Sequence, residues 1–150
     1  MLTVSDTRTE ATDSSGRAIR ELLTDAGHRV SGHAIVKDEP AAVVRIVSEQ
    51  LSNGEAQAII TTGGTGLTSR DSTYEAIDGL LEKRLDGFGE LFRMLSYSEI
   101  GAAAMLTRAT AGLAGGTIVI ALPGSEPAVR LGMEKLVLPE IGHLVREARR

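Results

Sequence analysis

Short apolar runs alternate with longer amphipathic stretches along the chain, and the alternation reads as strand and helix in turn. Met1 to Val4 is a first, very short strand. Asp13-Ser14-Ser15-Gly16 then precedes a helical stretch in which Ile19, Leu22, Leu23 and Ala26 share one face, closed by Gly27. His28 to Val36 reads as a second strand, ending at Lys37-Asp38-Glu39-Pro40. Ala41 to Leu51 puts Val43, Val44, Val47 and Leu51 on one stripe of a second helix, stopped by Asn53-Gly54. Ala58-Ile59-Ile60 predicts a buried strand, and Ser72-Thr73-Tyr74-Glu75 has the form of a capping box opening a helix to about Leu81.

The second half continues the pattern. Gly87 to Met105 is helical text with Leu91, Phe92, Leu95, Ile100 and Met105 as its apolar set. Thr107 to Leu113 and Thr117 to Leu122 flank Ala114-Gly115-Gly116, a hairpin signal. Leu122-Pro123-Gly124-Ser125 forms the last strand-to-helix turn, with Ser125 placed to cap and Pro127 in the first helical turn. Pro139 is expected to divide the remaining helical text in two. The fold class predicted is α/β, in three layers: a mostly parallel twisted sheet, helices on both faces, and an antiparallel edge hairpin. No repeat or linker interrupts residues 1–150, which are read as a single domain. Doubly wound domains usually begin with a longer strand, so residues before Met1 are expected.

Composition narrows the function classes. Aromatics are scarce at 3%, so the core must be aliphatic and rich in alanine. The absence of cysteine removes disulfides, thiolate metal sites and a cysteine nucleophile together. A net charge of -4, with no basic stripe carrying aromatics, argues against nucleic acid as a partner. No apolar run has the length of a membrane span and no leader precedes a cleavage site, so no membrane partner and a cytoplasmic location are expected.

The chemistry concentrates in one stretch, Ile59-Ile60-Thr61-Thr62-Gly63-Gly64-Thr65-Gly66-Leu67-Thr68-Ser69-Arg70-Asp71. Strand, glycine loop and helix start form a layout that presents backbone N–H groups to phosphate. Parallel sheets bind ligands beyond the carboxyl ends of their strands. That rule would gather Ser5-Asp6, Lys37-Asp38-Glu39, Gly63 to Asp71, and Pro123-Gly124-Ser125 at one edge. Carboxylates beside a phosphate site imply a bridging cation such as Mg²⁺, and no serine or histidine stands as an obvious nucleophile with its base. Direct in-line transfer, helped by metal and positioning, is the mechanism such a set suggests. As a general motif the loop is weak: it lacks the lysine of a phosphate-binding loop and the third glycine of the dinucleotide fingerprint.

The longer text resembles a known family. Thr61-Thr62-Gly63-Gly64-Thr65-Gly66 with Arg70-Asp71 is similar to the signature of the molybdopterin adenylyltransferases, the MoaB/MogA family. Gly87-Phe88-Gly89-Glu90-Leu91-Phe92-Arg93, Ser96, Ile100-Gly101, Met105-Leu106-Thr107-Arg108-Ala109 and Leu122-Pro123-Gly124-Ser125 continue the likeness. Ser5-Asp6 and Asp13-x-Ser15-Gly16 carry it to the beginning of the chain, and the phenylalanine block and short length resemble the MoaB branch more closely. The resemblance implies a molybdopterin-binding-domain-like fold over residues 1–150, assembled as trimers or, in the MoaB branch, hexamers. It implies binding of molybdopterin and, in active members, Mg²⁺-dependent transfer of AMP from ATP to its terminal phosphate with release of pyrophosphate. Asp71 matches the aspartate needed for activity and Asp38 a second functional aspartate, so both are the expected catalytic and metal-binding residues. Gly63, Gly64, Thr65 and Gly66 fall where the family holds phosphate or pterin, and Ser5, Asp6, Gly124 and Ser125 on matching strand-end turns. Some MoaB-branch proteins lack these acids; this chain keeps both. It departs from the family at Tyr74, where proline is frequent, and at Ala109, where some members place a phosphate-binding serine.

Each residue also has a plainer reading. Asp71 could serve only to start a helix, Asp38 only to form a turn, and Gly124-Ser125 only to turn and cap. Arg70, Arg93 and Arg108 could pair with carboxylates of the protein rather than with ligand phosphates. His28, His33 and His143 show no ligand spacing, and Phe88, Leu91, Phe92 and Met94 suit core or subunit packing. The functional alternatives to an adenylyltransferase are a non-catalytic pterin-binding or scaffold protein and a generic nucleotide-binding subunit.

Overall fold

Two strands with no polar interior residue beyond threonine make the centre of the sheet. In the computed structural model, which describes residues 1–150, these are β3 (Ala58–Thr62) and β6 (Thr117–Leu122), paired in parallel from Ala58↔Ile118 to Thr62↔Leu122. Ile118, Ile120 and Leu122 of β6 enter one core, and Val119 and Ala121 enter the other, as the period of two demands of a strand covered on both faces. On one side of β3 lies β1 (Leu2–Val4), and beyond it β2 (Ala34–Val36), both parallel. On the other side β6 pairs antiparallel with β5 (Thr110–Ala114), which pairs antiparallel with β4 (Lys83–Arg84). The order is β2-β1-β3-β6-β5-β4. The α/β class, the largely parallel sheet and the antiparallel edge agree with the sequence pattern.

Helices cover both faces. The first core joins residues of α1 (Ser14–Asp25), α4 (Asp86–Ile100), α5 (Glu126–Gly132) and α6 (Leu138–Ala148) to the sheet. The second joins α2 (Pro40–Asn53) and α3 (Thr73–Asp78) to the opposite face. Phe92 is fully buried and packs near Gly132 and Leu122; burying it contributes roughly 2–3 kcal/mol. A Cβ at Gly132 would stand 2.9 Å from the Phe92 ring and 2.8 Å from Leu122, so the missing side chain lets α4, α5 and β6 meet.

Several boundaries differ from the pattern. β2 begins at Ala34, not His28, because its only partner, β1, offers a ladder from Leu2 to Val4 and no further. α3 stops at Asp78 rather than continuing to Leu81, since the chain turns there to feed β4, a strand too short to leave a pattern. The text from Gly87 to Met105 breaks at Gly101, whose φ of 65° ends α4 and starts a 3₁₀ segment, Gly101–Leu106. Pro139 does not cut the C-terminal helix. A π-helical stretch at Met133–Val137 precedes it, and the proline sits in the first turn of α6, where its missing N–H does little harm. The Gly115-Gly116 hairpin turn is as expected, both residues having positive φ.

Candidate active site

Register decides where the loops meet. Val4 pairs with Val36, Thr3 with Thr62, and Thr62 with Leu122, so the carboxyl ends of β1, β2, β3 and β6 reach one edge together. α1 and α2 leave on opposite faces, which puts the reversal of strand order between β1 and β3. A crevice is expected at that point. A polar cavity of about 270 Å³ lies there, and its wall includes Ser5, Asp6, Asp38, Gly63, Gly64, Asp71 and Gly124. A larger cavity of about 390 Å³, mostly aliphatic, lies at the other end of the strands beside Met1, Leu23 and Ile46. It lies away from the carboxyl ends of the strands, where parallel sheets bind ligands, so its size does not make it the site.

Asp38 is buried, 7% exposed, immediately after β2. Its Oδ1 accepts from the backbone N–H and the hydroxyl of Ser72, at 3.2 and 2.7 Å. The Ser72 side chain therefore does not cap α3, and Glu75 does not complete a capping box: it pairs with Arg108. Asp71 closes a tight loop in which its Oδ2 accepts from the Thr68 N–H at 2.9 Å and the Thr68 hydroxyl at 2.6 Å. The Thr68 hydroxyl, helped by the N–H groups of Thr68 and Gly66 and the charge of Arg108, holds the Asp71 carboxyl below its ordinary value, against a smaller effect of burial. Oδ2 of Asp38 and Oδ1 of Asp71 remain outside these bonds.

The glycines act mainly through what they lack. A Cβ on Gly63 would lie 2.1 Å from Val4 O, and the Gly63 N–H donates to Leu122 O at 3.0 Å, continuing the ladder. Gly64, at φ 68°, leaves room for Thr73 Oγ1 and Asp38 Oδ2, which a Cβ would approach to 2.1 and 2.6 Å. Gly66 similarly admits the Asp71 carboxylate. Thus the amides of Gly63 and Thr68 serve the protein, while those of Gly64 and Thr65 have no acceptor within the chain.

Thr65, Gly66 and Ser125 are not on the cavity wall. Thr65 is buried and offers its carbonyl to Arg108, and Ser125 accepts from Ala128 N–H as the cap of α5. Arg108 also holds Gly66 O and Glu75 and lies 5.0 Å over the Tyr74 ring, so it fastens the glycine loop rather than facing the cavity. Ala109 is buried in the aliphatic core, and no side-chain hydroxyl is presented from that position. Seven wall residues were not among the site candidates read from the sequence: Thr3, Val4, Arg8, Asp13, Ser15, Thr62 and Arg70. Asp13, 1% exposed, accepts from the Thr3 hydroxyl at 2.7 Å and the Gly16 N–H at 3.0 Å, while Ser15 donates to Gly124 O at 2.6 Å. The signal available was the cap text Asp13-x-Ser15-Gly16, which alone suggests only a helix start.

Residues 1–143 match the family model described as "Probable molybdopterin binding domain". The molybdenum cofactor biosynthesis protein B of Bacillus cereus is 50% identical over 151 residues, covering 100% of this chain and 89% of its own length. The chain belongs to the MoaB family of molybdenum cofactor biosynthesis proteins. A crystal structure of a molybdenum cofactor biosynthesis protein B, 50% identical, superposes with a TM-score of 0.96 over 99% of this chain and 93% of that one. The tungsten cofactor synthesizing protein MoaB of Pyrococcus furiosus, 42% identical, gives 0.88 over 99% and 94%. For this MoaB-family chain the likeness spans the cavity as well as the helices around it.

Proposed function

We propose that this MoaB-family chain is a molybdopterin adenylyltransferase, in which the terminal phosphate of molybdopterin attacks the α-phosphorus of ATP and pyrophosphate leaves. The observation that carries the reading is that Asp38 and Asp71, from two separate loops, share one cavity wall with Gly63 and Gly64. Their unbonded oxygens fit Mg²⁺, which commonly takes one or two carboxylates and completes its shell with phosphate oxygens and water. No group of three or more His, Cys, Asp or Glu residues is arranged to hold a metal, so binding is expected to depend on the nucleotide. Bound there, Mg²⁺ would supply charge neutralisation at the phosphates undergoing exchange.

The chain's own residues orient the reaction. Ser72 fixes the Asp38 carboxylate, Thr68 fixes that of Asp71, and the Gly64 and Thr65 amides are the loop donors left for phosphate or pterin oxygens. The low pKa of Asp71 keeps it ionised at neutral pH, which suits a cation ligand better than a proton carrier. Subunits are expected to associate as trimers or hexamers, in the cytoplasm, through the apolar residues α4 leaves exposed.

Incubation with molybdopterin, ATP and Mg²⁺ should yield an AMP adduct and pyrophosphate. Asp71→Asn should retain pterin binding and lower pyrophosphate release by about a hundredfold or more. Unchanged turnover in Asp71→Asn would remove the assigned role. Pterin binding without any ATP-dependent product would make the chain a non-catalytic binding protein, and tight ATP binding with no pterin affinity a generic nucleotide-binding subunit.

A further inference from the structure

The cavity wall carries the carboxylates of Asp6, Asp13, Asp38 and Asp71 and the guanidinium groups of Arg8 and Arg70. A polyphosphate entering it meets a surplus of negative charge unless a cation changes partner. Arg8 donates to a neutral carbonyl, Thr12 O, so moving it would release no carboxylate. Arg70 is different. Its Nε donates to Asp6 Oδ2 and its Nη2 to Asp6 Oδ1, each at 3.0 Å, and its side chain makes no other hydrogen bond.

The pair lies on the cavity wall and joins the loop after β1 to the loop after β3. With side chains 60% and 36% exposed, it is worth little to folding and is cheap to open. Asp6 does not need the arginine to hold its place, because Asp6 Oδ1 also accepts from the Asp38 N–H at 3.1 Å. A guanidinium fork that spans two carboxylate oxygens spans two phosphate oxygens equally well. The geometry points to Arg70 as a polyphosphate-binding residue, held on Asp6 and transferred to the phosphate oxygens of the incoming ligand. This deepens the adenylyl-transfer reading and rests on it, since it names the residue that receives the nucleotide's charged tail.

The test is calorimetric titration of the whole protein with inorganic tripolyphosphate and Mg²⁺. Arg70→Ala should weaken binding about tenfold, the scale of one charge-assisted contact. Asp6→Asn should tighten it about threefold, because the competitor for the arginine is gone. In the Arg70→Ala background the gain from Asp6→Asn should vanish. A static brace would instead make both single variants weaken binding together, and a general charge effect would leave the Asp6→Asn gain intact in the double variant. Either result overturns the proposal, as does full affinity in Arg70→Ala or failure of the wild type to bind tripolyphosphate. Thermal melts should show both variants folded, the pair being exposed. Formation of the AMP adduct is scored separately: adduct formation with parallel weakening discards the exchange and keeps the adenylyltransferase, and the reverse pattern does the opposite.

Discussion

Gly64 sits at φ 68°, with Thr73 Oγ1 and Asp38 Oδ2 occupying the volume that a methyl group would need. Read from sequence, the three glycines of this loop look like a phosphate cradle; in three dimensions they first allow the loop to fold against its own acids. Gly64→Ala should destabilise the protein by about 2–4 kcal/mol, combining left-handed backbone strain with a steric clash. Gly115→Ala is the control. It has positive φ but nothing within 4 Å of its Cβ, so it should lose only about 1–2 kcal/mol. Urea unfolding of both variants checks the difference, and equal losses would mean that contact with Asp38 and Thr73 is not what requires glycine. The same distinction explains why Asp38 and Asp71 were legible as candidates while Asp13 was not: the first two stand beside turn and glycine text, whereas the third looks like any helix cap until Thr3 is brought against it.

At the scale of elements, Asp13, Thr3 and His33 join three of them. Asp13 caps α1, Thr3 lies in β1, and His33 directly precedes β2, with its Nε2 3.4 Å from Asp13 Oδ2 and 3.3 Å from Thr3 Oγ1. Burial lowers the His33 pKa from its ordinary 6.5, reinforced by Arg20, while Asp13 pulls the other way. Unfolded, the imidazole therefore takes up its proton first as pH falls. Its contribution to stability is complete above about pH 6.5 and is lost as pH drops through the lower folded value. Asp6 and Asp71, lowered from 3.8, and Glu75, lowered from 4.5, lose their contributions only in a more acidic range. The Met1 ammonium, lowered from 8.0 by burial, begins to lose its own above neutrality, so the His33 share is read from the difference between wild type and a His33 variant. Unfolding measured between pH 7 and 5 should show a loss of stability in the wild type and a smaller one in His33→Gln; identical slopes would exclude the histidine as the source. Apart from β4 and the 3₁₀ and π segments, element types were readable from hydrophobic period, but the ends of β2, α3 and α4 were not, since a neighbouring strand and a local turn set them.

Taken as a whole, the molecule buries its aliphatic cores on both faces of the sheet yet leaves Leu91, Met94, Tyr97, Ile100, Met105 and Leu106 exposed along α4 and the 3₁₀ segment, Met105 to 80%. A concentration of large apolar side chains on one helix is more than scattered surface residues usually supply. Second copies of this chain are the proposed cover, and sedimentation should find a trimer or hexamer that Met94→Glu with Tyr97→Glu converts to smaller species. A wild-type monomer would remove that assignment. The helical stripe expected over residues 87–105 is therefore split in use: Phe92 goes to the core, whereas Leu91, Ile100 and Met105 face outward. No helix is long and apolar enough to cross a membrane. Local order was determined by the chain itself: period two and period 3.6 appear in consecutive residues, and glycine, proline and cap residues mark most of the breaks. Strand order, the placing of Asp38 and Asp71 on one cavity wall, the hold of Asp6 on Arg70 and the bond from the Gly63 amide to Leu122 were decided only by tertiary structure. Those contacts join residues that lie far apart in the chain, and their distances follow from sheet register and helix packing, which no local pattern encodes.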